Sequence, residues 1–243
     1  MQVKFNTKAV HKTVGQAIHK YDMIKEGSRI LVAVSGGTDS MVLWHALREK
    51  QRRAPVKFSL IGVHIDPGFG DDTGDNLLAY SKDNDLEFHV ERTDYGIRAH
   101  DKDNKVNPCF LCARNRRKRL FELSKEFNCT AIAFGHNKDD LIETFFMNIC
   151  FISEVSTMLP SQDFFGGEIQ VIRPLALTEK NKIINYAEEL NIPVYKNLCP
   201  SSTNSRRSWF RNILEDMYKS NKQIKSSIFK AMHKDRVNLD YLL

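Results

Sequence analysis

Three stretches of this chain gather side chains that can do chemistry. The first is Ser35-Gly36-Gly37-Thr38-Asp39-Ser40, which runs from the apolar Ile30–Val34 stretch into Met41-Val42-Leu43-Trp44. Two glycines allow the backbone to approach a ligand closely. The N–H groups of Gly36, Gly37 and Thr38 can turn toward an anion, and Ser35 and Ser40 add hydroxyl donors. Asp39 would repel a bare phosphate but suits Mg2+, a hard cation that prefers oxygen and bridges phosphates. A tight turn capped by Thr38 or Asp39 would use the same residues. The spacing is not that of the common G-x-x-x-x-G-K-[ST] loop.

The second stretch is Asn107-Pro108-Cys109-Phe110-Leu111-Cys112, followed by the basic run Arg114–Arg119. A C-x-x-C at a helix start can bring two thiolates to one centre, where the helix dipole and following arginines would lower the thiol pKa values. Cys199 is a third candidate thiol. Three chemistries are open: a structural zinc completed by a histidine, a redox or persulfide pair, and a [4Fe–4S] cluster held by three thiolates with one iron open to sulfide. Cys129 and Cys150 lie in apolar surroundings and read as small core residues.

The third stretch is Gly135-His136-Asn137-Lys138-Asp139-Asp140, with Glu143 a turn later. Gly135 permits close approach of a nucleotide, and Asn137 can cap the helix that follows. Asp139, Asp140 and Glu143 suit Mg2+ binding or proton handling, or simply the helix dipole. Arg173, Arg206, Arg207 and Arg211 can contact phosphate or pair with carboxylates, with Trp209 and Phe210 as stacking surfaces, although Trp209 reads more readily as core. Phe69 either covers a ring or fills a gap.

The elements that must hold these residues alternate. Apolar runs predict strands at 29–34, 57–65, 86–92, 130–135 and 168–175. Helical patterns fall at 6–22, 38–50, 74–84, 109–127, 136–150, 178–190, 204–219 and 222–233, with a long loop at 93–108. Such alternation predicts an α/β doubly wound parallel sheet of about five strands, with extra helices at both ends. Ligands of these sheets bind at the carboxyl ends of the strands, where all three polar loops after 34, 65 and 134 would meet.

At 243 residues the chain suits one α/β domain, with 1–25 an N-terminal helix and 200–243 a basic helical extension. No apolar run approaches the ~20 residues of a membrane helix and no secretion signal stands at the start, so a cytoplasmic protein without a membrane partner is expected. Five cysteines there argue against a disulfide framework. A net charge of +6, with five cations in Arg114–Arg119 and six in 219–236, permits a nucleic-acid partner.

The string Ser35–Ser40 after a strand resembles the pyrophosphate loop of the PP-loop ATP pyrophosphatases (an adenine nucleotide α-hydrolase-like fold), although many thiolating members carry Lys at the position of Thr38. The C-x-x-C, the later Cys199-Pro200, and the stretches 135–149, 172–193 and 198–217 resemble the tRNA 2-thiocytidine synthetase family over about 15–235. The resemblance implies an ATP-dependent tRNA sulfurtransferase that adenylates a pyrimidine carbonyl and replaces its oxygen with sulfur. It implies Cys109, Cys112 and Cys199 as ligands of a [4Fe–4S] cluster, ATP and Mg2+ as further requirements, and Asp140 near the reacting base. His64 and Ile65 would read adenine through main-chain atoms, and Arg116, one turn past Cys112, would face the cluster and the activated base. Partners would be tRNA and a sulfur donor, either sulfide or a persulfide carrier; a homodimer is one open oligomeric state. A lysidine-synthetase-like ligase and a non-catalytic ATP-binding module are the alternatives.

Overall fold

Ile30, Leu31 and Val32 have no exposed surface, as a strand covered on both faces requires. They form β1 (Arg29–Ala33) of a computed structural model that describes residues 5–195, 198–201 and 206–233. The remaining strands are β2 (Ser59–Asp66), β3 (Phe88–Arg92), β4 (Ala131–Ala133), β5 (Ser161–Phe164) and β6 (Ile169–Ile172). Among the described residues they make one sheet in the order β3-β2-β1-β4-β6-β5, parallel except for β5. β5 adds a strand to the expected five. Its Ser-Gln-Asp-Phe sequence has no apolar alternation, because it is an edge strand that contributes little to the core.

The chain clusters into two compact units. One comprises residues 1–137 and 160–202, and the other 138–159 and 203–243. The first holds the sheet with α1 (Phe5–Lys20), α2 (Thr38–Arg53), α3 (Thr73–Asp83), the short α4 (Tyr95–Ala99) and α5 (Pro108–Glu126). The second holds α6 (Lys138–Ile152); α7 (Lys180–Glu189) returns to the first unit, and α8 (Arg206–Ser220) and α9 (Ile224–Ala231) belong to the second. α4 lies within the predicted loop; five residues are too few for a visible periodicity.

Strand alternation sorts the core of the first unit onto two faces. Ile30 and Val32 pack with Met41, Leu43, Trp44, Leu47, Ile183 and Tyr186 from α2 and α7, while Leu31 and Ile61 pack with Leu120 and Leu123 of α5. Trp44 is stacked on Phe88, ring centres 5.0 Å apart. β1 connects to β2 and β3 on one side, whereas β4 and β6 lie on the other, so the sheet changes direction between β1 and β4. That is where a doubly wound sheet opens a crevice at its carboxyl edge.

In the second unit, Phe210 is buried against Phe146 and Phe151, and Trp209 is 56% exposed. Trp209 is therefore a surface residue, contrary to the core reading; one helical step separates it from the buried face that Phe210 occupies. Cys150 is likewise exposed, near the end of α6, whereas Cys129 is buried. The Arg206 side chain lies outside the described residues, as do Lys234 and Arg236 of the basic run. Among the described residues no helix is long and apolar enough to cross a membrane.

Candidate functional site

The loop between β1 and α2 is built by its own hydroxyls and glycines. The Ser40 hydroxyl donates to the Gly37 carbonyl at 2.9 Å and accepts from the Ser35 N–H at 3.1 Å. Ser40 is buried and braces the turn, while Ser35 stays exposed. Gly36 has φ +83°, a conformation that L side chains rarely adopt, and a Cβ there would stand 2.9 Å from Thr73. Gly37 takes the N-cap position of α2 without a side-chain cap bond, so the first turn of α2, with Thr38 and Asp39, presents its N-terminal dipole at the loop.

Neighbouring strand ends press on this turn. A Cβ at Gly135 would lie 3.1 Å from the backbone of Asp39 and Ser40, so a side chain there would force the segment after β4 and the start of α2 apart by a few tenths of an ångström. Asn137 donates to Asp39 Oδ1 at 3.3 Å, and Lys180 Nζ lies 2.6 Å from Asp39 Oδ2. The Asp39 carboxylate therefore faces the Lys180 ammonium. The β1–β2 register ends at Ala33 and Val63, so His64 and Ile65 extend beyond the last rung. His64 Nδ1 donates to the Val34 carbonyl at 2.8 Å, and its buried Nε2 has no hydrogen-bond partner among the described residues. Burial, and then the charge of Arg116, hold this imidazole below its ordinary pKa, leaving Nε2 a neutral acceptor. An orphaned buried acceptor beside the loop suits a ligand that donates.

None of the five cysteines is in a disulfide. α5 opens with Pro108 in its first turn and the Asn107 side chain accepting from the Phe110 N–H, which sets Cys109 and Cys112 on the first turn. Cys199 and Cys109 both act electrostatically on Cys112, so the three thiols share one neighbourhood. The Cys112 thiol is raised, not lowered as its helix position suggests: burial outweighs the pull of Arg116, and the two neighbouring thiols add to it. Among the described residues no three His, Cys, Asp or Glu side chains stand where one metal ion could take them all. Three thiols are the donor type that iron–sulfur clusters take.

Arg116 joins the two halves of the site, since its charge acts on both His64 and Cys112. The rest of its basic run does not: Arg114, Arg117 and Lys118 are exposed, and Arg119 is tied to Glu91, Glu122 and Glu126 at 2.8, 3.3 and 2.7 Å. Arg173 is held to about 10 by burial and the charge of Arg117. Phe69 packs edge-on against His100 and over Gly96, filling a gap.

Two contacts give no sign in the sequence. Tyr195 N–H donates to the Gly36 carbonyl at 2.9 Å, and Ser201 Oγ donates to His100 Nε2 at 2.8 Å, because His100 Nδ1 is committed as donor to the Gly96 carbonyl. They anchor the segment that carries Cys199 on both sides. Lys180 is the third residue that sequence reasoning passed over; a lysine opening a helix is the available signal, since cations disfavour that end.

Asp139, Asp140 and Glu143 lie on α6 in the second unit, where each has a cation. Asp139 is 2.5 Å from Lys225 and Asp140 3.5 Å from Arg207. Glu143 is buried and takes Arg211 in a two-pronged contact at 2.7 and 3.2 Å. Burial pushes its carboxyl up against the pull of Arg211, and the two-pronged geometry favours the ionised pair.

The family description of a PP-loop domain matches residues 6–218. The chain is 35% identical over 228 residues to the tRNA-cytidine(32) 2-sulfurtransferase of Geobacter sulfurreducens, spanning 93% of this chain and 89% of that protein. It is 35% identical over 234 residues to tRNA-cytidine(32) 2-sulfurtransferase 1 of Francisella tularensis, spanning 94% and 86%. The solved U34-tRNA thiolase NcsA from Methanococcus maripaludis with its [4Fe-4S] cluster has the same fold, with a TM-score of 0.77 at 24% identity over 98% of this chain and 80% of that one.

Proposed function

The chain belongs to the PP-loop domain family, and from that premise we propose that it is an ATP-dependent tRNA sulfurtransferase that exchanges the 2-oxygen of a cytidine for sulfur. ATP lies with its polyphosphate tail over Ser35–Ser40, held by the N–H groups of Gly36, Gly37 and Thr38 and by the Ser35 hydroxyl. Asp39 holds Mg2+. His64 and Ile65 meet the adenine edge through main-chain atoms, and Gly135 keeps the strand end clear of the nucleotide.

The cytidine carbonyl oxygen attacks the α-phosphorus, and the bond to pyrophosphate breaks. The oxygen, now part of an adenylate, is a good leaving group. A sulfur nucleophile adds to the base carbon and AMP departs with that oxygen. Arg116 supplies positive charge beside the reacting base. Cys109, Cys112 and Cys199 would hold a [4Fe–4S] cluster, which when bound would offer an open iron for sulfide, supplied as such or from a persulfide carrier together with a two-electron reductant.

The observation that carries this reading is the glycine turn at the start of α2 together with the C-x-x-C at the start of α5, in a chain 35% identical to a tRNA-cytidine(32) 2-sulfurtransferase. A ligase joining an amine to an activated base has no use for three neighbouring thiols. The test is anaerobic purification with iron and acid-labile sulfide analysis, followed by incubation with unmodified tRNA, ATP, Mg2+ and sulfide. The expected products are thiolated cytidine, AMP and pyrophosphate. A protein that carries no iron after anaerobic reconstitution, or that leaves every cytidine unthiolated, overturns the proposal.

A further inference from the structure

We propose that Lys180 supplies the ATP polyphosphate tail with the positive charge that the glycine loop itself lacks; the inference rests on the ATP-binding role proposed above. Ser35–Ser40 contains no basic residue and one acid, Asp39. Apart from Mg2+ on Asp39, a polyphosphate over this turn therefore meets only backbone dipoles. Lys180 brings an ammonium to the turn from 141 residues away, 2.6 Å from Asp39 Oδ2.

Three features make this ammonium available to a ligand. Its side chain is 39% exposed and that of Asp39 29%, so the pair is not sealed. Its base is rigid, because α7 is anchored by the buried Ile183, Tyr186 and Ala187. Its place at the N-terminal end of α7, next to the N-cap Glu179 and with Lys182 beside it, sets a cation where the helix dipole favours an anion. An anion beside that turn offsets this mismatch, and a polyphosphate does so more fully than one carboxylate. The nearby arginines have other tasks: Arg116 acts on His64 and Cys112, and Arg119 is engaged by three glutamates. The four-carbon lysine stem lets the ammonium move from Asp39 onto the tail without shifting α7.

The experiment measures dissociation constants of ATP and of AMP for the full chain. Lys180→Met should weaken ATP by about tenfold while AMP, which lacks the tail, keeps its affinity. Lys180→Arg should retain most ATP affinity, and Thr38→Lys combined with Lys180→Met should recover it by returning the charge from within the loop. Unchanged ATP affinity in Lys180→Met overturns the inference. So does equal loss of ATP and AMP, which marks a structural role, or a double variant that recovers nothing. A wild-type chain that binds no ATP overturns the proposed function and this inference together; one that binds it while Lys180→Met binds equally well overturns the inference alone.

Discussion

Cys199 joins the other two thiols because its segment is tied on both sides, through Tyr195 to the Gly36 carbonyl and through Ser201 to His100. The same ties put the glycine turn and the thiols under common control. Replacing Cys199 by Ala should remove one thiolate while leaving both anchors in place. We expect iron content and cytidine thiolation to be lost in Cys199→Ala while ATP affinity stays within about twofold. Retention of both iron and thiolation would remove Cys199 from the site. The C-x-x-C and the glycine pair were legible because their spacing is shorter than a helical turn. The elevated Cys112 thiol was not, since it depends on burial and on Cys199, a residue from a distant part of the chain. Trp209 and Cys150 were misread for the related reason that hydrophobic type does not say which side of a helix is covered.

At the scale of elements, the crevice depends on how closely β4 passes α2. Gly135→Ala would place a methyl group 3.1 Å from backbone atoms of Asp39 and Ser40, which cannot rotate away. We expect a loss of about 1–3 kcal/mol in stability and weaker ATP binding, read by urea unfolding and nucleotide titration. An unaltered ATP affinity would mean that the strand end does not set the loop. Most elements were legible from periodicity, with boundaries that moved by a few residues: 57–65 became Ser59–Asp66 and 178–190 became Lys180–Glu189. The exceptions share a cause. Ser161–Phe164 and Tyr95–Ala99 are short and contribute little to the core, so no apolar pattern marks them.

At the scale of the molecule, buried titratable groups couple stability to pH. Tyr186, fully buried between α7 and its neighbours, has its hydroxyl 2.9 Å from His45 Nδ1 and 3.2 Å from His11 Nε2. Burial holds both imidazoles below their ordinary value of about 6.5. The folded state therefore binds fewer protons than the unfolded chain just below that pH, and stability is present above about 6.5 and lost as pH falls toward the folded values. Urea midpoints should decline from about pH 6.5 to 5, with His64 adding to the slope. A His11→Gln, His45→Gln double variant should show a shallower decline; an equally steep one would place the titrating groups elsewhere. The alternation of strands and helices, the glycine turn and the C-x-x-C were determined by the sequence itself, because each is a local pattern that forms within a few residues. Tertiary structure alone decided that Lys180 answers Asp39, that Tyr195 clasps Gly36 and that Arg116 serves two groups. Those partners meet through strand order across the switch between β1 and β4, and no periodicity along the chain records which distant side chains that order brings together.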